Sequence, residues 1–357
     1  MSKHLLVCIT PHGYGHTTQI APVVNALHKM LPDLRVTLRT TVPATLLAAR
    51  FEIPFTHIAS ADDFGMVMVS AVDVLAEPSA AAYSAFHADW EHKVDEQAAT
   101  LRALAPDLVL ANVPYLPLAA AARAGIPSVA LCSLNWADIY QHYCGTSPDA
   151  GLILEQMQAA YNSAAVFLRP QPSMPMPVLH NSMAIGPIAR VGHNRREQIN
   201  RQLQLADNDT LLLVAPGGIP TRWPMEHWPR LPGVRWIVQS DWQATHPDAI
   251  KLEALNLPFT DVLCSCDALL GKPGYGSIAE CGCNGTPMLY LPRHDWPEEP
   301  YLLEWLHAHG RGLAIDRQAV ETGELGDALK ELLSQAARPP VAPTGIQDAV
   351  TVLLGLL

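Results

Sequence analysis

The chain has 357 residues, enough for two domains with a core each. Its net charge of −11, from 34 acidic against 23 basic residues, argues against a nucleic-acid partner, which requires basic patches. No run of about 18 apolar residues reads as a transmembrane segment, and the apolar run near the amino terminus is too short for a signal peptide. Seven cysteines, an odd number, point to reduced thiols and a cytoplasmic location. The 31 prolines follow no period and fit loop ends rather than an extended proline-rich chain.

Residues 5–10 form an apolar run of strand length ending at Pro11, as a buried parallel strand requires. His12-Gly13-Tyr14-Gly15-His16 follows, and then an amphipathic helix over 17–29. The turn is either a plain tight connection or a ligand loop. In open α/β sheets the ligand crevice lies at the carboxyl ends of the strands, where this turn falls. A histidine there titrates near neutrality and can act as a general base. His16 is the candidate base, and His12 is a candidate for contacting the acceptor or fixing the loop.

Strands are expected at 35–41 and 54–59, followed by one long helix at 79–104 with Phe86, Trp90, Val94 and Ala98 on a single face. Strands at 108–113 and 128–133 are joined by an alanine-rich helix at 117–125, and Asn135, Trp136 and Asp138 follow at another carboxyl end. A helix at 151–164 and a strand at 166–169 complete a Rossmann-like domain over 1–190. The polar stretch 189–200, with Arg190, Arg195 and Arg196, reads as an interdomain hinge.

The alternation then restarts in a second Rossmann-like domain, 191–344, with strands at 210–215, 234–239, 268–270 and 312–315 and helices at 298–309 and 322–335. A last helix within 345–357 is expected to return to the first domain. Gly217 and Gly218 form a candidate phosphate-facing loop, with Arg222 a weaker cationic candidate and a plain turn the alternative. Trp223, Trp228 and Trp236 suit packing or base stacking. The pairs Cys264/Cys266 and Cys281/Cys283 are CxC, a poor zinc spacing, and read as small core residues, with no metal site.

The centre of the second domain is GKPGYGSIAECGCNGTPMLYLP, residues 271–292. It reads as a glycine-rich turn, a helix opening at Ser277, a Gly-Thr-Pro exit and a strand. Gly271, Gly274 and Gly276 are expected to permit close ligand approach, with φ > 0 where needed. A helix start with free N–H groups suits a phosphate. Ser277 stands at its mouth, Lys272 adds a cation, and Glu280 lies one turn on, placed to accept from a ribose diol. Such turns also occur in α/β proteins without nucleotides, and GxxGxGS is neither the dinucleotide fingerprint nor a P-loop.

Ser277-x-x-Glu280, Gly285-x-Pro287, Pro292 and the acidic pair Glu298-Glu299 resemble the donor signature of UDP-glycosyltransferases, shared by plant secondary-product enzymes, lipid II-forming N-acetylglucosaminyltransferases and galactolipid synthases. The Lys272-Pro273-Gly274 opening is most similar to the last of these. In the first half, GYGH at 13–16, NVP at 112–114, the run at 120–127 and Asn135-Trp136 resemble the glycosyltransferase-like N-terminal region of plant L-arabinokinases. The resemblance implies an α/β protein with two Rossmann-like domains facing across a cleft, the GT-B architecture. It also implies metal-independent, inverting transfer of a sugar from a UDP-sugar or dTDP-sugar to a small-molecule acceptor, with no cofactor.

On that resemblance His16 is the base that takes the acceptor proton. Asn112 stands where the family has an orienting aspartate, so either Asp138 takes that role or the acceptor needs less activation. Lys272, Gly274, Gly276 and Ser277 would face the diphosphate, Glu280 the ribose, and Glu298 and Glu299 either the donor hydroxyls or a helix N-terminus. Two other functions remain open: non-catalytic nucleotide-sugar binding and UDP-sugar 2-epimerisation.

Overall fold

The computed structural model of the protein describes residues 2–12, 15–69, 73–217, 222–293 and 295–357. Gly218, together with Gly13 and Tyr14 of the histidine turn, lies outside the described residues. The chain divides into two compact units, Met1–Ile188 with Thr344–Leu357, and Ala189–Pro343.

The first unit is built on a seven-stranded parallel sheet: β1 (His4–Ile9), β2 (Arg35–Arg39), β3 (Thr56–Ile58), β4 (Leu108–Asn112), β5 (Ser128–Leu131), β6 (Val166–Pro170) and β7 (Ser182–Ile185). Their order is β3-β2-β1-β4-β5-β6-β7, so the chain reverses direction across the sheet between β1 and β4. β1 and β4 are buried along their whole length, which explains their uninterrupted apolar sequences. In register, Ile9 pairs with Asn112, so both strands end at the same level. The C-terminal helix Gly345–Leu356 packs on Gly15–Met30, and the backbone N–H of Gly186 donates to Asp348 Oδ2 at 3.0 Å.

The second unit has a six-stranded parallel sheet: β8 (Thr210–Ala215), β9 (Val234–Val238), β10 (Ala249–Lys251), β11 (Ala268–Gly271), β12 (Met288–Tyr290) and β13 (Gly312–Ala314), in the order β10-β9-β8-β11-β12-β13. Its switch point lies between β8 and β11. Trp223, Trp228 and Trp236 belong to the core under this sheet, and Trp228 Nε1 donates to the Val320 carbonyl at 2.8 Å. They are packing residues. Cys281 and Cys283 are likewise buried. Among the described residues no helix is long and apolar enough to cross a membrane.

Several expectations change. The helix expected at 79–104 is two, Ala76–His87 and Trp90–Leu104, because Asp89 leaves the helical region at φ −117°, ψ 42°. The first of them buries Ser79, Tyr83 and His87 rather than Phe86. The helix expected at 322–335 breaks at Gly323, which caps Arg317–Thr322 with φ 74° before Gly326–Ser334 begins. The polar stretch read as a hinge begins where the chain passes from the first unit to the second, at Ala189, and its later residues are structured. Arg196–Leu203 is a helix, Arg195 pairs with Asp261, and Arg196 pairs with Asp267.

Candidate functional site

In the first unit, four loops meet at the switch point. The turn after β1 leads into the helix Gly15–Met30, and its second residue, His16, is buried. His16 Nδ1 lies 2.8 Å from Asn112 Oδ1 at the end of β4. Asn112 Nδ2 donates to Gln19 Oε1 at 2.9 Å, and Gln19 Nε2 donates to Ser133 Oγ at 3.2 Å. With the amide oxygen of Asn112 facing the imidazole, Nδ1 carries the hydrogen and Nε2 keeps its lone pair. Burial lowers the His16 pKa to about 4, against a smaller upward pull from the Asn112 hydrogen bond. At neutral pH His16 is therefore an uncharged imidazole with a free base nitrogen. His12 packs edge-on against Trp136, with ring centroids 5.4 Å apart.

Asp138 has a different place. It sits in the first turn of the helix Trp136–Cys144, whose N-cap is Asn135. Asn135 Oδ1 accepts from the Asp138 N–H at 2.8 Å, and Asn135 Nδ2 donates to Asp138 Oδ2 at 2.9 Å. This reciprocal cap occupies the carboxylate that was a candidate partner for the base. The partner of His16 is the neutral Asn112, not Asp138.

Two carboxyl groups that sequence reasoning passed over lie beside this turn. Asp63 Oδ2 accepts from Thr10 Oγ at 2.6 Å, and the same hydroxyl accepts from the Val113 N–H at 3.1 Å. Asp62 Oδ1 accepts a hydrogen bond from Gln97 Nε2 at 2.8 Å and forms an ion pair with Arg39 Nη2 at 3.0 Å. Burial raises Asp63 to about 7 and Asp62 to about 6, although Arg39 pulls the latter down. Gly65, at φ 69°, lets this loop close over the histidine turn: a Cβ there would lie 2.7 Å from His12 and 2.9 Å from Trp136. The available signal was an Asp-Asp-Phe-Gly loop shortly after a strand's carboxyl end.

In the second unit, Gly217 lies two residues past the end of β8, and Lys272 directly follows Gly271, the last residue of β11. Gly217 adopts φ 106°, and a Cβ on it would lie 2.6 Å from Lys272 Cε. The lysine stem thus runs over a glycine that must be bare both for its backbone and for its neighbour. Gly271, Gly274 and Gly276 do not have positive φ. Gly271 is instead pressed against β8, where a Cβ would meet the Ala215 carbonyl oxygen at 2.5 Å. The helix begins two residues earlier than expected, as Tyr275–Asn284 with Gly274 as N-cap. Ser277 is therefore its third residue rather than its mouth. Space beside Gly274 is open. Glu280 is buried one turn further along the same helix.

Lys272 and Ser277 make no side-chain hydrogen bond to the described residues. Burial, and Arg293 nearby, lower Lys272 to about 8, while Glu298 and Glu299 pull it upward. Arg293, a second cation missed in the sequence, follows β12. It binds Glu299 through its backbone N–H at 2.8 Å and its Nε at 2.9 Å, reaches the Pro273 carbonyl oxygen at 3.3 Å, and lies over Trp296. Trp296 Nε1 donates to Glu298 Oε2 at 3.1 Å. Glu298 and Glu299 are thus buried supports of the cationic loop, not open carboxylates. Arg222 is paired with Glu226 at 3.1 Å.

Two parallel-sheet α/β units, each with polar residues gathered at its switch point, define the fold of the GT-B glycosyltransferases. The structure of the glycosyltransferase of kitacinnamycin matches with a TM-score of 0.64 at 18% identity, covering 99% of this chain and 96% of that one. Arabidopsis thaliana UGT89C1 complexed with UDP matches at 0.54 and 16% identity, covering 99% and 94%. A UDP-N-acetylglucosamine 2-epimerase matches at 0.55 and 14% identity, covering 99% and 96%. In sequence, the chain is 26% identical to the L-arabinokinase of Arabidopsis thaliana over 341 residues, 93% of this chain. It spans about a third (32%) of that protein's length. No protein-family profile matches the chain.

Proposed function

We propose that this protein is an inverting, metal-independent glycosyltransferase that uses a UDP-sugar or dTDP-sugar and a small hydroxyl-bearing acceptor. The observation that carries the reading is Lys272. Its ammonium has no hydrogen-bond partner among the described residues, is largely withdrawn from water, and lies over Gly217 beside the start of the helix Tyr275–Asn284. A cation so placed suits a diphosphate, and the helix N–H groups add to it. Glu280, one turn on, is the proposed ribose acceptor.

In the transfer, the acceptor oxygen bonds to the anomeric carbon as the carbon–oxygen bond to the diphosphate breaks. The diphosphate leaves with the electron pair and is stabilised by Lys272 and the helix N-terminus, the role a divalent ion has in other transferases. The acceptor proton passes to His16 Nε2. The seven free cysteines suit a reducing, cytoplasmic setting.

The test is thermal stabilisation of the purified protein by UDP, dTDP, GDP, ADP and their sugars. Selective stabilisation by a uridine or thymidine diphosphate, lost in Lys272→Ala and Glu280→Ala, supports the donor site. No shift at millimolar nucleotide rejects it. The buried pair Asp62 and Asp63 supplies acid and base groups for a second reading, 2-epimerisation, which would convert a UDP-N-acetylhexosamine with no acceptor present. The neutral Asn112 beside His16 favours a third, nucleotide-sugar binding without turnover. Binding unaffected by His16→Ala, with no transfer, would mark it.

A further inference from the structure

We infer that the acceptor presents an already acidic hydroxyl, such as a phenol, and that the His16–Asn112 pair discriminates against aliphatic alcohols. This deepens the glycosyltransferase reading and rests on it. His16 is buried, and its Nδ1 is held by an amide oxygen. The groups behind that amide, Gln19 and Ser133, are uncharged as well. Among the described residues, the imidazole also meets the Cys132 thiol, 3.8 Å from Nδ1, and the Trp136 ring, with centroids 5.9 Å apart.

The carboxyl groups of this unit that lie at strand ends are all engaged elsewhere: Asp138 by Asn135, Asp63 by Thr10, Asp62 by Arg39 and Gln97. Among the described residues, none hydrogen-bonds His16. A proton placed on Nε2 would therefore create a buried cation with no carboxylate bonded to it among the described residues, at the positive end of a helix. Asn112 fixes the tautomer as a carboxylate would, but it cannot stabilise the charge.

General-base catalysis follows the acidity of the proton being moved. An aliphatic alcohol becomes nucleophilic only as it transfers nearly a full proton to the base, which this imidazole resists. An acidic hydroxyl carries the developing negative charge on its own oxygen and asks little of His16. The products are the same in kind: the new oxygen–carbon bond, the free nucleoside diphosphate, and a proton passed through Nε2 to solvent. Asn112 is in this account a positioning residue that sets which acceptors react.

The experiment compares phenol and cyclohexanol, rings of equal size that differ by several pK units in O–H acidity. The donor is the nucleotide sugar that stabilises the protein in the thermal screen. Wild-type protein is expected to transfer to phenol at least ten times faster than to cyclohexanol. Asn112→Asp supplies the missing charge. Gln19 can reverse its amide to donate to the new carboxylate while Ser133 donates in turn, so the network survives. In that variant the cyclohexanol rate is expected to rise and the ratio to collapse. Equal or faster transfer to cyclohexanol by the wild type overturns the inference, as does an unchanged ratio in Asn112→Asp. Donor binding with no transfer to phenol overturns it too, whereas absence of donor binding overturns the reading beneath it. If Asn112→Asp does not fold, the wild-type ratio decides alone.

Discussion

His16 and Asn112 are joined by one 2.8 Å hydrogen bond between the start of a helix and the end of a central strand. The amide leaves Nε2 of a neutral imidazole as the free nitrogen, while burial holds the pKa near 4. Imidazole NMR of the wild type should therefore show His16 uncharged, with the hydrogen on Nδ1, at every pH from 5 to 8. Asn112→Asp should raise its pKa, because a carboxylate favours the imidazolium. Asp138→Ala should leave the His16 titration in place and cost about 1 kcal/mol of stability through the lost Asn135 Nδ2–Asp138 hydrogen bond, the Asn135 cap on the backbone N–H being kept. A His16 pKa that moved with Asp138 instead would refute this assignment.

At the proposed donor site, Lys272 sets the sign of the pH dependence expected for binding. Its ammonium is lowered to about 8, so raising the pH from 7 to 9 removes the positive charge facing the proposed diphosphate. The diphosphate, whose last pKa is about 6, is already mostly ionised at pH 7 and gains only a little charge above it. UDP affinity should fall over that window and fall more gently in Lys272→Ala. The variant should bind UDP at least about tenfold more weakly at pH 7, as expected for one charge-assisted contact. Gly217→Ala should show a similar loss, since its Cβ displaces the lysine stem. Titration calorimetry at three pH values reads both effects, and a pH-independent wild-type affinity would contradict the site.

How much of this was legible beforehand depended on the range of the interaction. The fully buried strands around 5–10 and 108–113 announce themselves through unbroken apolar runs, and Gly217 and Lys272 through their places after strands. The alternating strands and helices, read with motif resemblance, gave the GT-B fold. Local geometry was harder. The helix containing Ser277 starts at Tyr275 because Gly274 serves as N-cap with no side-chain cap, which no propensity rule signals. Asp138 looked catalytic since its position after a strand is shared by catalytic and capping residues alike. Asp63 and Arg293 were invisible because their importance comes from partners far away in sequence or hidden within loops: Thr10 for the first, Glu299 and Pro273 for the second.

The Arg293–Glu299 pair is nearly withdrawn from water on both sides. Removing the cation alone leaves the buried carboxylate without the charge that faces it, with the residue-293 N–H still donating, whereas neutralising the acid leaves Arg293 its Pro273 and Trp296 contacts. Arg293→Met should therefore destabilise the second unit by roughly 3–5 kcal/mol. Glu299→Gln, which keeps an acceptor for the Arg293 N–H, should cost less. Chemical denaturation of both variants tests the order, and a larger loss for Glu299→Gln would mean that the arginine is not held by this pair.

Asp63 gives the first unit a stability that depends on pH in an unusual direction. Its folded pKa, about 7, stands above the ordinary aspartate value because burial disfavours the charged form. Between pH 4 and 7 the unfolded chain has lost this proton while the folded chain retains it, so the contribution is full below about 4 and lost as pH rises through 7. The change is on the order of 4 kcal/mol for a shift of this size. Asp62 acts in the same direction up to about pH 6. His16 acts in the opposite one, since its depressed pKa contributes stability above the ordinary histidine value that is lost as pH falls toward 4. Asp63→Asn removes one titration while keeping an acceptor for the Thr10 hydroxyl. Thermal unfolding from pH 4.5 to 7.5 should show the variant gaining on the wild type as pH rises. Parallel curves for the two proteins would show that Asp63 is already ionised in the fold, held by a partner stronger than the Thr10 hydroxyl.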